Sequence, residues 1–318
     1  MAKTRKVSSI FVAPLAVAAL SCANEAYALE PTGVDPHEPG ITNGIPTGAL
    51  PPPGVYVVND LSYIDGSLKG GSGKNSPVGV NVIAWVDVPA LVWSTPWHIL
   101  GGQYAAAVFQ PYVNTELTVA GKTSVRSGLF NSIIEPVILS WKLPANLYLS
   151  AGLPIYLKDG DWSKGAAVET ANHTWTFGPS AAISYLRDGW NLTLNGEYDI
   201  QTRNNDFVTA RGATTTYQSG NVINFDYTAQ KTFGKWTAGL VGYWVYQTDD
   251  DSIGGTIVPA GALGTGNGAG NRFEKLAAGP SVAYDFGPIS VNFRYTRDLY
   301  AKNATLNDVF WFRFALPL

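Results

Sequence analysis

The chain has 318 residues, of which 46% are hydrophobic, 12% aromatic and only 14% charged. Its formal net charge of −3 argues against a nucleic-acid partner, because it provides no excess of basic groups for phosphates. After residue 28 no stretch reaches the roughly 18 consecutive apolar residues of a transmembrane helix, which excludes a helical membrane protein.

Residues 1–28 have the pattern of a secretory signal peptide. Three basic residues within positions 3–6 precede the 14-residue apolar stretch Val7–Leu20, and Ala26-Tyr27-Ala28 supplies the small residues of a cleavage site. A lipoprotein signal around Cys22 is the alternative, although the preceding Ala19-Leu20-Ser21 fits such a signal poorly. Cleavage after Ala28 leaves a mature chain with no cysteine and a net charge of −5, since three cations and one carboxylate are removed.

Residues 29–54 form a segment of distinct composition. It contains seven prolines and five glycines and ends in Pro51-Pro52-Pro53-Gly54. Because proline fixes φ and removes a backbone donor, the segment cannot form a helix or an internal strand. Two interpretations stay open: a flexible periplasmic leader, or a short plug inside a lumen.

Hydrophobicity alternates with a period of two through the rest of the chain. In Trp190–Gln201 one face is apolar and aromatic, whereas the other carries amides, hydroxyls and carboxylates. Aromatic-rich apolar faces that recur along a whole chain are typical of a barrel with lipid outside and water inside, whereas a soluble sandwich would bury its aromatic residues. The sequence therefore predicts an all-β fold, a transmembrane antiparallel up-and-down β-barrel at 55–318, in contact with outer-membrane lipid. Twelve strands are predicted, at 55–65, 78–92, 99–120, 127–141, 147–157, 174–186, 190–202, 219–231, 236–247, 273–285, 288–297 and 308–318.

The connections between these strands alternate in length. Five are turns of two to six residues, whereas most of the others are long and polar, as at 158–173, 203–218, 248–272 and 298–307. Short periplasmic turns and long outer loops are typical of bacterial outer-membrane barrels, and an even strand number places both termini in the periplasm. Fourteen strands is the alternative if the region 99–120, which carries Pro111, contains two strands with an unrecognised partner.

The chain offers no pattern for catalysis, cofactor binding or metal binding. His37, His98 and His173 have no metal-ligand spacing, and the glycine-rich run at 264–270 lacks the strand–helix context of a dinucleotide site. No Gly-x-Ser-x-Gly elbow is present. We therefore predict neither an enzyme nor a cofactor.

Charged side chains are predicted on the lumen faces of several strands. Acidic groups lie on the seventh and eighth strands and basic groups on the eleventh and twelfth, which would stand roughly opposite in a twelve-stranded barrel. Such an arrangement predicts a transverse field that filters solutes. The alternative is a salt-bridged network that fills the lumen, and Asp60 on the first strand blurs the separation. The charged residues on this predicted path are Glu197, Asp199, Asp226, Arg294 and Arg313.

Aromatic side chains are also predicted to face the lumen, at Tyr148, Tyr156, Tyr243 and Trp311. They favour a conduit for small hydrophobic or aromatic molecules, because a purely hydrated pore has little use for them. The alternative function is a structural or adhesive barrel whose long outer loops, above all 248–272, carry the activity.

From Pro52 to Leu318 the chain resembles the outer-membrane transporter family of the meta-pathway of phenol degradation. The resemblance implies a β-barrel that transports aromatic or other hydrophobic compounds; it identifies no substrate residues. The chain departs from the family at Phe130-Asn131, where relatives tend to have Gly-Asp, and at the terminal Leu318 in place of Phe. The outer-membrane assembly machinery, which reads an aromatic last strand, would recognise Phe310, Phe312 and Phe314. The strings that carry the resemblance are Pro52-Pro53-Gly54-Val55-Tyr56, Leu100-Gly101-Gly102-Gln103-Tyr104, Val108-Phe109-Gln110-Pro111, Gly128-Leu129-Phe130-Asn131, Glu135-Pro136, Leu139-Ser140-Trp141, Ala151-Gly152-Leu153-Pro154-Ile155-Tyr156, Gly160-Asp161-Trp162, Trp175-Thr176-Phe177-Gly178-Pro179, Tyr217-Gln218-Ser219-Gly220, Phe225-Asp226-Tyr227, Gly279-Pro280 and Tyr284-Asp285-Phe286.

Overall fold

A computed structural model describes Glu30 and residues 35–318. The predicted signal peptide and Cys22 lie outside the described residues. The strands are β1 Gly54–Lys69, β2 Val80–Ile99, β3 Gly102–Phe109, β4 Tyr112–Val119, β5 Lys122–Leu129, β6 Ile133–Lys142, β7 Leu147–Gly152, β8 Ile155–Tyr156, β9 Thr176–Phe177, β10 Ser180–Arg187, β11 Trp190–Gln201, β12 Asn204–Val208, β13 Thr214–Gln218, β14 Val222–Phe233, β15 Trp236–Gln247, β16 Ser252–Ile253, β17 Thr256–Ile257, β18 Glu274–Asp285, β19 Ser290–Lys302 and β20 Ala304–Pro317. Short 3₁₀ turns occur at Pro144–Asn146 and Ala269–Asn271, and no helix in the described part of the chain has the length and apolarity to cross a bilayer.

Sixteen of these strands build a twelve-stranded antiparallel barrel, which confirms the predicted fold and strand number. Four crossings consist of two segments each: β3 with β4, β5 with β6, β7 with β8, and β9 with β10. The barrel closes because β20 pairs with β1 from Tyr56–Pro317 to Lys69–Ala304. The break between β3 and β4 falls at Gln110-Pro111, where proline withdraws a donor from the ladder. Region 99–120 is thus one interrupted crossing.

The predicted loop at 298–307 is wrong. β19 continues to Lys302 and β20 begins at Ala304, so the two strands meet in a turn at Asn303, which has a φ of 48°. Asp298 and Asn307 looked like loop residues in sequence, yet Asp298 faces the lumen and accepts a hydrogen bond from the backbone N–H of Asn307 at 2.6 Å. Polar residues inside the barrel therefore resemble a loop when only the sequence is read.

The outer loops have structure of their own. β12, β13, β16 and β17 form a separate four-stranded sheet around the buried side chains Phe207, Tyr217 and Val258. The loop at 157–175 covers β5, which pairs with β4 on one side only. Arg126 of β5 donates to Glu169 of this loop at 2.9 Å, and Asp161 accepts the backbone N–H of Leu129 at 2.7 Å.

The inner surface of the barrel has two different sides. The apolar wall consists of the buried lumen-facing side chains of β2 and β4: Val80, Val82, Ala84, Val86, Val88, Ala90, Val113, Leu117 and Val119. The polar wall consists of the buried lumen-facing side chains of β11 and β14: Thr193, Asn195, Glu197, Asp199, Asn224, Asp226, Thr228 and Gln230. β2 and β14 are the second and eighth of twelve crossings, so the two walls stand opposite each other.

Candidate functional site

Residues 35–53, named here the inner segment, run through the lumen before β1 begins. Successive backbone hydrogen bonds fold part of it into turns, from Ile41 N–H to the Glu38 carbonyl and from Asn43 N–H to the Gly40 carbonyl, both at 3.0 Å. Gly48 presses against the wall: a Cβ built there would lie 2.6 Å from the carbonyl oxygen of Tyr148. The segment needs glycine at this point, because any side chain would collide with backbone.

The inner segment is anchored to the polar wall mainly through its backbone. Asp226 accepts the N–H of Gly40 at 2.8 Å, the N–H of Thr42 at 3.0 Å and the hydroxyl of Thr42 at 2.7 Å. Further along, Thr228 accepts the N–H of Gly44 at 2.9 Å. A backbone without regular secondary structure thus finds partners for its donors on the wall, as buried polar groups require.

His37 is the charged contact between the inner segment and the polar wall. Its Nδ1 lies 3.2 Å from Glu197 Oε2, and its Nε2 lies 3.8 Å from Asp226 Oδ2. Burial lowers the pKa of His37, but the two carboxylates outweigh it, so its pKa is held well above the usual range. Tyr156 donates to Glu197 Oε1 at 2.6 Å, on the side away from His37. Asp199, two residues after Glu197 on the same face of β11, accepts a hydrogen bond from Asn224 at 2.8 Å.

The two arginines have a nearer partner than the acidic groups across the lumen. Asp60 of β1 accepts Arg294 Nη2 at 2.8 Å and Arg313 Nε at 2.6 Å. Arg313 and Asp60 are direct cross-strand neighbours at the closure of the barrel. Arg313 also donates to the carbonyl of Asn43 at 2.8 Å and to that of Ile41. The transverse field that the sequence predicts stays a prediction: the two arginines share the single carboxylate of Asp60, and His37 lies between Glu197 and Asp226.

Three of the four predicted aromatic residues contribute to one cavity. Tyr156, Tyr243 and Trp311 line it, whereas Tyr148, in a neighbouring part of the wall, is not among its lining residues. Tyr243 donates to Asp298 at 2.7 Å, and the Arg294 guanidinium lies 4.8 Å from the Trp311 ring centroid. The Tyr156 and Tyr243 hydroxyls thus bind carboxylates of the lumen, and the Trp311 ring packs on Arg294.

The cavity has a volume of about 1060 Å³ and extends around the inner segment, from the apolar wall to Asn195, Glu197 and Gln230 of the polar wall. Val86, Val88 and Ala90 line it from β2, and Ile41, Ile45 and Leu50 line it from the inner segment. The segment therefore binds the polar wall with its backbone, while its Ile41 side chain packs against the cluster that contains Val86 and Val88 of the apolar wall. The cavity extends to residues 186–191, at a periplasmic turn.

The outer end of the cavity is covered by the loop at 157–175. Phe130 and Tyr156 pack there with Ala171 of this loop, and Trp162 packs against the same cluster. Asn131 accepts the N–H of Asn172 at 2.7 Å and donates to the Asn172 carbonyl at 2.9 Å. Burial raises the pKa of the loop carboxyl Glu169 to about 7, although Arg126 opposes the shift.

Sequence reasoning missed three groups at this site: His37, Asp60 as the partner of both arginines, and Glu135, whose side chain lines the cavity. A histidine in a proline-rich segment has no periodicity that predicts a docked position. The pairing of Asp60 depends on the closure of the first strand on the last. Among the described residues no group of three or more His, Cys, Asp or Glu side chains is placed to hold a metal ion.

Comparisons with known proteins agree with this architecture. Residues 66–314 match the model of the protein family that is described as the MetA-pathway of phenol degradation. No curated protein sequence matches the chain significantly. An outer membrane channel from Pseudomonas putida F1 is similar in structure, with 15% identity, a TM-score of 0.68, and coverage of 90% of this chain and 100% of that one. The transport unit of the autotransporter AIDA-I from Escherichia coli is similar in fold, with 9% identity, a TM-score of 0.51, and coverage of 83% and 89%.

Proposed function

The chain belongs to the MetA-pathway of phenol degradation family, and on that premise we propose that this outer-membrane β-barrel is a channel for small hydrophobic or aromatic molecules. The observation that carries the proposal is the cavity of about 1060 Å³ beside the inner segment, which the apolar wall lines along one side. Ligand sites of small molecules are usually concave, mostly apolar and about 300–1,000 Å³ in size. The similarity to an outer membrane channel of Pseudomonas putida F1 supports the proposal at the level of fold.

The positions of the cavity and the inner segment indicate the path that a solute would take through the barrel. The cavity reaches a periplasmic turn, while the loop at 157–175 covers its outer end and the inner segment fills the side next to the polar wall. Passage of a ring-sized solute therefore needs displacement of the loop or the segment, and we propose that the inner segment acts as a plug. An apolar solute gains from contact with Val86, Val88 and Ala90, whereas hydrated ions gain nothing there.

A tryptophan placed in the cavity tests the proposal. Ala90 lines the cavity, whereas its neighbour Leu91 points outwards and is 47% exposed. In Gram-negative cells, entry of the uncharged dye N-phenyl-1-naphthylamine past lipopolysaccharide is followed by its fluorescence in lipid. We expect dye entry to rise with expression of the wild-type protein, to fall towards the level of cells without it for Ala90→Trp, and to stay at the wild-type rate for Leu91→Trp.

The folded state of each variant is checked by its altered gel migration before and after heating. Equal dye entry for both folded tryptophan variants would contradict a route through the cavity. No protein-dependent entry at all would favour the second candidate, a structural or adhesive barrel. The specific observation behind that candidate is the separate outer sheet β12–β13–β16–β17 with its own core of Phe207, Tyr217 and Val258.

A further inference from the structure

The middle of the lumen is acidic, which its apolar lining alone does not predict. The buried ion pair of Lys275 and Asp298, with 2.9 Å between Nζ and Oδ2, marks the outer limit of this region. Between it and the periplasmic rim, the described residues that face the lumen include seven carboxyl groups and three groups able to carry positive charge. The positive groups are His37, Arg294 and Arg313. The carboxyl groups are Asp35, Glu38, Asp60, Glu135, Glu197, Asp199 and Asp226.

The positive groups are all held by carboxylates of the wall. Arg294 and Arg313 both bind Asp60, at 2.8 and 2.6 Å, and His37 lies between Glu197 and Asp226. The two arginines share one carboxylate, whereas the single cation His37 has four carboxyl groups around it: Glu135, Glu197, Asp199 and Asp226. The excess negative charge therefore lies around His37, where Glu135 and Glu197 line the cavity.

Glu135 of β6 differs from the other carboxyl groups. It lines the cavity, it is half-buried, and none of the hydrogen bonds or ion pairs found among the described residues involves its side chain. Glu197 and His37 lie within electrostatic reach of it. Its Oε1 occupies the space beside Gly152, where a built Cβ would approach it to 2.3 Å.

We propose that Glu135 determines which polar group an apolar ligand of this cavity can carry. The inference rests on the proposed function and names its substrate class: ring compounds with a neutral or cationic donor, such as an alcohol, phenol or amine, in preference to ring carboxylates. A carboxyl oxygen accepts a hydrogen bond from a hydroxyl or ammonium group, and a hydrogen bond with one charged partner is among the strong ones. A ligand carboxylate meets Glu135 and Glu197 together in a site of low dielectric constant, where like charges repel strongly.

Competition against dye entry tests this preference with three ligands that share one ring system. The competitors are 1-naphthalenemethanol, 1-naphthylmethylamine and 1-naphthoate, each titrated at pH 9, where a desolvated glutamate is ionised, to the concentration that halves protein-dependent entry of N-phenyl-1-naphthylamine. For the wild type we expect 1-naphthoate to require a concentration at least about tenfold higher than the amine, since one unfavourable charge contact in a protein interior exceeds the thermal energy several times.

Three variants assign the preference to Glu135. Glu135→Gln removes the charge and keeps the shape, so the ratio of the two concentrations is expected to fall about threefold or more, for the same reason. Gly152→Ala keeps the charge but displaces the carboxyl end, so the ratio is expected to fall by a smaller factor. Glu116→Gln, on the exposed outward side of β4, is the matched control and is expected to leave the ratio unchanged.

The outcomes separate this inference from the proposed function. If the folded wild-type protein supports no dye entry, the proposed function fails. If dye enters but 1-naphthoate competes as well as the amine, the proposed function stands and the inference is overturned. An unchanged ratio in folded Glu135→Gln would also overturn it, because the discrimination would then come from another group.

Discussion

The apolar and the polar wall have the same strand geometry, yet they play opposite parts in the lumen. On β2, Val86, Val88 and Ala90 have no polar group to offer, so the space in front of them stays open as a cavity. On β14, Asp226 and Thr228 accept hydrogen bonds from the inner segment, so the space in front of them is filled. A non-regular segment can enter a barrel only where its backbone donors find acceptors. The distribution of polar side chains around the barrel therefore decides which side is filled.

The inner segment transfers this difference to the cavity. Its backbone binds the polar wall, whereas Ile41 packs against the cluster that contains Val86 and Val88, and Ile45 and Leu50 also line the cavity. Apolar side chains of the segment and of β2 thus line the same cavity although the opposite wall is polar. The comparison predicts that the charged group at the closure of β1 on β20 stabilises the fold, that removal of the segment opens the lumen, and that His37 adjusts the strength of docking.

Asp60→Ala is expected to have the largest effect, because it leaves Arg294 and Arg313 buried without their shared partner. Breaking a buried ion pair by removing one partner typically costs about 3–5 kcal/mol. We expect a large fall in the temperature at which the folded protein changes its gel migration, or loss of folded protein from the outer membrane.

Asp87→Ala is the matched control for this change. Asp87 lies on β2 and accepts a hydrogen bond from Asn59 at 2.7 Å, and none of the ion pairs found among the described residues involves it. We expect its transition temperature to stay close to that of the wild type. Equal losses for the two variants would contradict a special role of the Asp60–arginine group.

The sequence predicts the barrel well because alternation is a local signal. In Trp190–Gln201 each step of the pleat moves a side chain between lipid and lumen, and this pattern depends on no distant partner. The alternation of short turns and long loops predicts which end of the barrel faces the periplasm. The error at 298–307 has the same origin, since a polar run inside a barrel has the composition of a loop.

The site was less predictable, because its contacts join residues that are far apart in the chain. Asp60 meets Arg313 only when β1 closes on β20, and His37 meets Glu197 only when the inner segment is docked. Neither contact leaves a pattern in the sequence. The lumen positions of Glu197, Asp226, Arg294 and Arg313 follow from alternation, but their partners do not.

Deletion of residues 29–50 is expected to have the next largest effect. It removes the backbone N–H groups that donate to Asp226 and Thr228 on the polar wall, and it opens the space in front of this wall to water. Single-channel conductance in planar bilayers should rise several-fold above the wild-type level. Asp226→Asn weakens the docking without removing the segment, so a smaller rise or brief openings are expected. Unchanged conductance after the deletion, with the barrel folded, would show that the segment does not obstruct the lumen.

The smallest effect concerns the pH dependence of docking through His37. Glu197 and Asp226 contact this side chain, and Glu135 and Asp199 lie within electrostatic reach of it. Burial lowers its pKa, but the carboxylates outweigh this and raise the pKa above the unfolded value, which is about 6.5. A raised pKa means that the stabilisation by His37 is complete below the pKa of the unfolded state and is lost as the pH rises through the pKa of the folded state.

Openings of the wild-type protein in planar bilayers should therefore be rarest in mildly acidic solution and more frequent at alkaline pH. His37→Gln should open at a rate that is nearly independent of pH, whereas His98→Gln, at an exposed position of β2, should follow the wild type. The same alkaline increase in His37→Gln would assign the titration to another group and leave the docking of the inner segment to its backbone hydrogen bonds alone.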